Sequence, residues 1–303
     1  MERIAAVVVT YNRLAMLRQC VDALLGQTRM LDIVIVDNAS TDGTSEWAQS
    51  LENERIRYRS TGENLGGAGG FHMGMRWAVE AGYDKIWIMD DDCLPKPKAL
   101  ETLLEADRAL NGEYGWLSSR ALWTDGSDCP MNIQRKTPYR DIDHFDQALI
   151  RSEMASFVSL FLRRETIVHY GLPIREFFIW ADDWEYTRRI SRHEPCYTVT
   201  ASEVVHAMKQ NTIVNIATDS PERMERYRCF YRNDVYLYRR EGLKGWLWLI
   251  SKDLWHTAQV CMRAKAHRME KIGIIWKGFF AGIRFNPQIV YPQAEKDAKG
   301  VSL

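Results

Sequence analysis

The feature that most constrains this chain is the alternation of strand and helix signals over its first hundred residues. Apolar, β-branched runs at Ile4–Val9, Ile33–Val36, Ile56–Arg59 and Lys85–Met89 read as strands. Between them lie Leu14, Leu17, Val21, Leu24 and Leu25 at helical spacing, a short Thr44–Gln49 segment, and Phe71–Ala81. Pro97–Leu110 continues the series as a helix with Leu100, Leu103, Leu104 and Ala106 inward. Short apolar runs alternating with amphipathic helices build βαβ units, so the pattern predicts an α/β fold with a parallel, doubly wound sheet. Ligands of such sheets bind beyond the carboxyl ends of the strands. Those ends are where chemistry should be sought.

The fourth run ends in Asp90-Asp91-Asp92. Like charges repel, so three adjacent carboxylates at the end of a buried strand are costly unless a cation sits among them. Carboxylate oxygens suit Mg²⁺ or Mn²⁺, and such a cation can hold a diphosphate. The competing reading is a solvated acidic turn. The first strand runs into Thr10-Tyr11-Asn12-Arg13 and the second into Val36-Asp37-Asn38. A Tyr ring can stack on a nucleobase, and an Asp can accept from a base N–H. Asp37 reads equally as a turn residue before Ser40-Thr41-Asp42-Gly43. Asn64-Leu65-Gly66-Gly67-Ala68-Gly69-Gly70 has the glycine density of a phosphate or sugar cradle, but it is neither a P-loop nor a GxGxxG after the first strand. An ordinary flexible loop fits it as well.

Beyond residue 110 the pattern is less regular. Tyr114–Leu122 and Glu153–Leu162 read as strands, and Arg164–Tyr170 as a helix. Thr124–Gln147 is polar and reads as a long surface excursion, of the kind that often covers a substrate. Phe177-Phe178-Ile179-Trp180-Ala181-Asp182-Asp183-Trp184-Glu185 sets three acids among aromatics. Apolar surroundings raise a carboxylate's pKa and suit it to proton abstraction, although acids opening a helix also serve as its cap. Within this segment Asp182, Asp183 and Glu185 are the acids that could serve so, and Trp180, Trp184 and Glu185 are candidate acceptor contacts. His206 closes the apolar run Val204-Val205 and is either structural or a further metal ligand.

The six cysteines are scattered without a CxxC pair, which argues against a zinc site or disulfide framework and for a reducing compartment. Neither a signal peptide nor a membrane span is expected. The zero net charge hides a split: Glu222–Leu303 carries 16 Lys/Arg against 8 Asp/Glu, and the rest carries 24 against 32. After Thr212–Pro221, which resembles a linker, the pattern is helical. Leu243, Leu247, Ile250, Leu254, Ala258 and Cys261 form one apolar stripe, and Ile272, Ile275, Phe279 and Ile283 another. Basic residues and Trp beside such stripes suit an interfacial helix on anionic lipid. The alternative is packing on the catalytic part or on a second copy, as a homo-oligomer. The expected division is 1–215 and 216–303. No nucleic acid partner is expected.

Taken in order, Thr10-Tyr11-Asn12-Arg13, Val36–Gly43, Asn64-Leu65-Gly66-Gly67, Asp90–Asp92 and Asp182-Asp183-Trp184-Glu185 resemble the family 2 glycosyltransferases, inverting enzymes of GT-A fold. The likeness spans roughly residues 3–210. The Gly-rich string, the triple Asp and Trp-Ala-Asp-Asp-Trp-Glu most resemble the bacterial galactofuranosyltransferases, with rhamnosyltransferases using a dTDP-sugar as near neighbours. The resemblance implies transfer of a sugar from a UDP-activated donor to a lipid-linked glycan, on the cytoplasmic face of the membrane. It implies that Thr10, Tyr11 and Asp37 hold the nucleoside, and that Arg13, Asn64 and the Gly66, Gly67, Gly69 and Gly70 backbone lie near the donor. Asp90, Asp92 and His206 would hold Mn²⁺ or Mg²⁺, Asp91 would approach the sugar, and Asp183 or Asp182 would be the base. The chain lacks the long N-terminal β-domain of the large polymerising galactofuranosyltransferases, which puts processive synthesis in doubt. A nucleotidyltransferase would need a Lys/Arg-bearing glycine loop straight after the first strand, where this chain has Thr10–Arg13. A non-catalytic glycan-binding module has no use for three adjacent acids.

Overall fold

A computed structural model of the chain describes residues 2–212 and 214–292; Met1, Ile213 and the last stretch of the expected C-terminal region, 293–303, lie outside the described residues. The alternation of the first hundred residues is realised as β1 (Ile4–Thr10), α1 (Leu14–Leu25), β2 (Asp32–Asp37), α2 (Thr44–Gln49), β3 (Ile56–Ser60), α3 (Gly66–Glu80) and β4 (Lys85–Asp90). A short β5 (Cys93–Pro95), α4 (Ala99–Ala109), β6 (Leu117–Leu122), a small hairpin of β7 (Arg135–Thr137) and β8 (Arg140–Asp141), and β9 (Leu149–Arg151) follow. Then come β10 (Leu160–Arg163), α5 (Arg164–Tyr170), α6 (Asp182–Ser191) and β11 (Tyr197–His206). Three long helices end the described chain: α7 (Met224–Tyr238), α8 (Gly242–Arg263) and α9 (Arg268–Arg284).

The main sheet runs β3-β2-β1-β4-β10-β6-β11-β5, with β9 on β11. Its first four strands are parallel, as the pattern predicts. The second half is mixed: β10 is antiparallel to β4 and β6, while β11 is parallel to β6. One face of the sheet packs on Leu17, Val21 and Leu24 of α1 and Leu100 and Leu103 of α4. The other packs on Phe71, Met75 and Val79 of α3 and Tyr186 and Ile190 of α6. The result is a three-layer α/β/α body of GT-A type with a helical C-terminal region.

The glycine-rich segment differs from expectation. It is the first two turns of α3 rather than a loop before it. Glycine disfavours helix, but a Cβ on Gly70 would overlap Val9, and one on Gly74 would stand 2.7 Å from Val36 Cγ2. Close approach of helix to sheet therefore outweighs propensity. The expected strand Glu153–Leu162 shrinks to Leu160–Arg163. Its first half is buried but irregular, because Ala155 N–H pairs with Thr187 Oγ1 of α6 at 3.1 Å instead of with a strand. Nor is Thr124–Gln147 wholly a surface excursion: Cys129, Asn132, Gln134 and Ile142 are buried.

The segment read as a linker is partly core. Ile216 and Ala217 are buried against α7, α8 and α9. The three helices in turn pack on the α/β body through Tyr236, which meets Phe177 edge-on at 5.4 Å. Of the two C-terminal stripes, Ile275 and Phe279 on α9 face inward, whereas Leu243, Leu247, Ile250 and Leu254 on α8 face outward. No described helix is long and apolar enough to cross a membrane.

Candidate active site

One cavity of about 640 Å³ opens at the carboxyl ends of β1 and β4, where the topology places a ligand. Asp90, Asp92, Arg13 and His206 line one end of it. Asp182 and Asp183 line another part, with Trp180 and Trp184 beside them. Residues 90 places apart in sequence thus share one space.

The acidic end is built by β4 and β11. Asp91 is buried and turned back into the protein, where it accepts from Thr10 Oγ1 at 2.7 Å and pairs with Arg13 Nη1 at 3.1 Å. Asp92 pairs with Arg13 Nη2 at 2.8 Å. Its other oxygen, Oδ1, lies 3.2 Å from His206 Nε2. That buried Oδ1 has no hydrogen-bond partner among the described residues, so the two atoms are close without being aligned on one another. His206 Nδ1 is occupied by Asn132 Oδ1 at 2.8 Å, which fixes the ring and turns Nε2 toward Asp92. Asp90 is half-buried at the cavity edge. Burial and repulsion from Asp92 push its pKa up to about 7. Burial also raises Asp91, to about 6, against the pull of Arg13. Asp92 goes the other way: its burial is outweighed by His206 and Arg13, which hold it at about 2.

Among the described residues no group of three or more His, Cys, Asp or Glu side chains has the geometry of a metal site. Two of the three expected ligands nevertheless fit one. Adjacent ligands of an octahedral cation bound at ~2.1 Å stand about 3 Å apart. An orphaned carboxylate oxygen beside an imidazole nitrogen whose other nitrogen is anchored matches that donor set.

The second carboxylate pair opens α6. The backbone N–H of Trp184 donates to Asp183 Oδ1 at 2.7 Å. Asp182 is buried, and both burial and the Asp183 charge drive its pKa well up. Burial raises Asp183 to about 6, with the Trp184 N–H and Arg135 opposing. Burial thus raises both neighbouring carboxyls, and the Asp183 charge raises Asp182 further. Arg135 lies 3.8 Å over the Trp184 ring, and Arg223 5.5 Å over Trp180. Arg226, from the first turn of α7, also lines the cavity and makes no ion pair among the described residues.

Several expected site residues are placed elsewhere. Asp37 is buried, with Ser40 N donating to Oδ1 at 2.9 Å and Tyr58 Oη to Oδ2 at 2.7 Å. It orders the turn after β2, as its alternative reading has it, and does not line the cavity. Tyr11 is exposed beyond β1. Asn64 Oδ1 receives the Gly66 N–H at 2.9 Å and so starts α3. Gly66, with φ of 71°, accepts from Asn38 Nδ2 at 3.0 Å. Gly69 and Gly70 face Leu65 and Val9, which leaves Gly67 as the glycine of this set that lines the cavity. Glu185 corrects the expectation of an acceptor contact: it is buried and held by Arg189 Nη2 at 2.8 Å and Nε at 3.2 Å. Its spacing from Arg189 is that of an intrahelical pair, which a charge-pattern reading could have found. Asn132, Arg135 and Arg226 line the cavity without having been singled out.

Residues 5–114 match Glycosyl transferase family 2. The galactofuranosyltransferase GlfT1 of Mycolicibacterium smegmatis is 27% identical over 283 residues, spanning 83% of this chain and 91% of that protein. The protein of the same name from Mycobacterium tuberculosis is 27% identical over 302 residues, spanning 90% and 97%. Among solved structures, S. aureus TarS 1–349 in complex with UDP-GlcNAc superposes with a TM-score of 0.52 at 12% identity, covering 93% of this chain and 73% of that one. GalNAc-T7 with UDP, GalNAc and Mn²⁺ gives 0.58 at 14% identity, covering 79% and 48%. Those two likenesses speak for the fold. Residues 5–114 thus carry a family 2 glycosyltransferase domain, in a chain similar to the two GlfT1 proteins along most of its length.

Proposed function

We propose that the enzyme is an inverting, divalent-metal-dependent galactofuranosyltransferase that moves the sugar of UDP-galactofuranose to a lipid-linked glycan in cell-surface polysaccharide synthesis. The observation that carries the reaction type is the pair of carboxylate sites facing one cavity: Asp90, Asp92 and His206 at the strand ends, and Asp183 on α6. Inversion needs one base on the face opposite the leaving group and no carboxylate nucleophile. Likeness to the two GlfT1 proteins along most of the chain favours galactofuranose. The UDP in the TarS complex favours a UDP donor.

On this reading Asp183, ionised above about pH 6, takes the proton of the acceptor hydroxyl as it attacks the anomeric carbon. Asp182 stays protonated beside it. Trp180 and Trp184 offer aromatic faces to the acceptor sugar. A divalent cation held by Asp92 and His206, with Asp90 beside them, would neutralise charge developing on the departing diphosphate. Arg13 and Arg226 add fixed positive charge at the same end. Asp91, held by Thr10, sets Arg13, and the nucleoside would lie outside the cavity, over the β1 and β2 ends, where Tyr11 is exposed and Asp37 orders the turn. Residues 1–215 then carry the donor chemistry, and the C-terminal helices complete the cavity wall.

The same reading places the enzyme peripherally on the inner face of the cytoplasmic membrane. Leu243, Leu247, Leu254 and Trp255 on α8 are 77%, 59%, 54% and 55% exposed. Exposed Lys244 and Arg263 lie on the same helix, and exposed Lys265, Arg268 and Lys277 follow in the α8–α9 turn and on α9. An exposed apolar stripe on a basic helical region suits anionic lipid. The test of the reaction is mass analysis of products after a panel of nucleotide sugars is offered with a galactofuranose-terminated lipid acceptor. A product gaining one hexose from UDP-galactofuranose alone supports the reading, and transfer only from a dTDP-deoxysugar sinks it.

A further inference from the structure

The turn that delivers Asp183 is in a high-energy backbone form. Phe178, Trp180 and Ala181 have φ of 64°, 63° and 65°. None is glycine, and each such residue costs of order 1–3 kcal/mol unless its surroundings hold it. Part of the holding comes from α3, whose Ala68 N–H donates to the Phe178 carbonyl at 3.2 Å, and the larger part from the C-terminal helices. Asn233 of α7 is completely buried beneath the turn. Its Nδ2 donates to the carbonyls of Phe177 at 3.0 Å, Trp180 at 2.9 Å and Ile179 at 3.2 Å. Its Oδ1 accepts from Arg232 Nε at 3.0 Å and Nη2 at 2.9 Å. Arginine has only donors, so this contact sets which way the amide faces. Arg232 also reaches the Glu176 carbonyl at 2.7 Å. One side-chain amide thus gathers three carbonyls of the segment that ends two residues before Asp183.

We propose that Asn233 is a positioning residue for sugar transfer, holding the Phe177–Ala181 turn in the form that aims Asp183 into the cavity. The inference rests on the reading of Asp183 as the base. It gives the C-terminal helices a part in turnover that is separate from any membrane contact. Asn233 touches no reacting atom, so with acceptor saturating, where the Trp180 contact is already filled, its effect on the chemical step passes through the carboxylate it places.

A double-mutant cycle on the full chain tests this, with wild type, Asn233→Ala, Asp183→Asn and the double variant. Single-turnover rates with the accepted sugar donor are the main readout. Binding of UDP, measured by calorimetry, and the melting temperature report the fold. Asn233→Ala should lower the rate about 10–100-fold, the scale of an ångström-sized misplacement, with UDP affinity unchanged within about twofold. Added to Asp183→Asn it should cost nothing further, because the placed group is already gone. Losses that multiply in the double variant overturn the proposal. So does full turnover of Asn233→Ala beside a crippled Asp183→Asn. Full turnover of Asp183→Asn instead removes the base assignment, and this inference with it. Should Asn233→Ala not fold, Arg232→Lys, which frees the amide to rotate, enters the cycle with the same expectations.

Discussion

Arg188 on α6 grips Glu241, at the start of α8, through two parallel hydrogen bonds, Nε to Oε1 at 2.8 Å and Nη2 to Oε2 at 2.9 Å. Arg192 adds a third contact to Oε1. This fork ties the helix that carries Asp183 to the junction of α7 and α8. Burial disfavours the Glu241 carboxylate, but the hydrogen bonds from Arg188 and Arg192 outweigh it and hold its pKa below the ordinary 4.5. A depressed pKa contributes stability that is fully present above the ordinary value and is lost as pH falls from there through the lower folded-state value. Glu241→Ala should therefore cost about 2–3 kcal/mol near neutral pH, the worth of hydrogen bonds to a charged group. The loss should fade below pH 4.5. Urea unfolding of both proteins at pH 7 and pH 4 measures it, and a cost equal at the two pH values rejects the assignment.

The His206–Asp92 contact makes a prediction about metal. Burial alone would lower the imidazole, but the Asp92 carboxylate pushes it up to about 10. Its raised pKa makes the pair's contribution complete below the ordinary 6.5 and lost as pH climbs toward 10. Asp92, held at about 2, contributes above its ordinary 3.8 and loses that as pH falls. Without metal the pair is strongest between those two ordinary values. A metal on Nε2 must displace the proton, so Mn²⁺ affinity should rise with pH, approaching about tenfold per unit across the neutral range. Calorimetry in two buffers of different ionisation enthalpy should show proton release on binding. EDTA should abolish transfer and Mn²⁺ restore it. Full activity in excess chelator, with no Mn²⁺ heat, rejects the metal assignment.

Asp183→Asn should remove about 10²–10⁴-fold of turnover, the usual share of general base catalysis, and leave UDP affinity nearly unchanged. The acid limb of the wild-type rate profile should fall near pH 6, where the carboxyl gains its proton. Should Asp182→Asn be dead and Asp183→Asn active, the two roles are exchanged. With both active, the pair serves only to open α6.

The parallel half of the sheet was legible because period and turn chemistry agree there: Ile4–Val9 and Thr44–Gln49 appear as read, the strand one residue longer. The acids at Asp90–Asp92 and Asp182–Asp183 were legible because clustered charge in apolar surroundings has few inexpensive explanations. What was not legible depends on tertiary contact. The glycines of α3 look like a loop until Val9 and Val36 are seen against them. Asp37 reads as ligand or turn residue alike, and only the structure shows the Ser40 N–H on its Oδ1 at 2.9 Å and, beyond it, Asp42 Oδ2 capping α1 through the Leu14 N–H at 2.9 Å. Asn132 carried no signal at all, since its importance is its distance to a histidine 74 positions away. The basic surplus after residue 222 also proves mixed. Lys271 is buried on the Ala217 carbonyl, and Arg239 caps the end of α9 through the Ile283 and Phe285 carbonyls.

That mixture decides how membrane docking must be tested. Removing everything after Asn215 would strip Tyr236 from Phe177 and Asn233 from the Asp183 turn, so a truncated protein would fail for reasons unrelated to lipid. The outward face of α8 can be changed instead. Leu247→Ser and Leu254→Ser alter exposed side chains and should leave melting temperature and UDP binding intact. Removing two exposed leucines from a bilayer contact forfeits up to about 1.5–3 kcal/mol each, enough for a tenfold or greater drop in vesicle affinity. Wild-type binding should rise with the anionic fraction of the vesicles. It should weaken as salt shortens the Debye length below the ~8 Å of physiological ionic strength. Lys265→Glu with Lys277→Glu should reduce that salt dependence while leaving the leucine face in place. Co-sedimentation of the full chain that is indifferent to lipid charge, to salt and to both leucines rejects docking by this face. A concentration-dependent change of oligomeric state lost in the leucine variants would assign the face to a second copy of the chain instead.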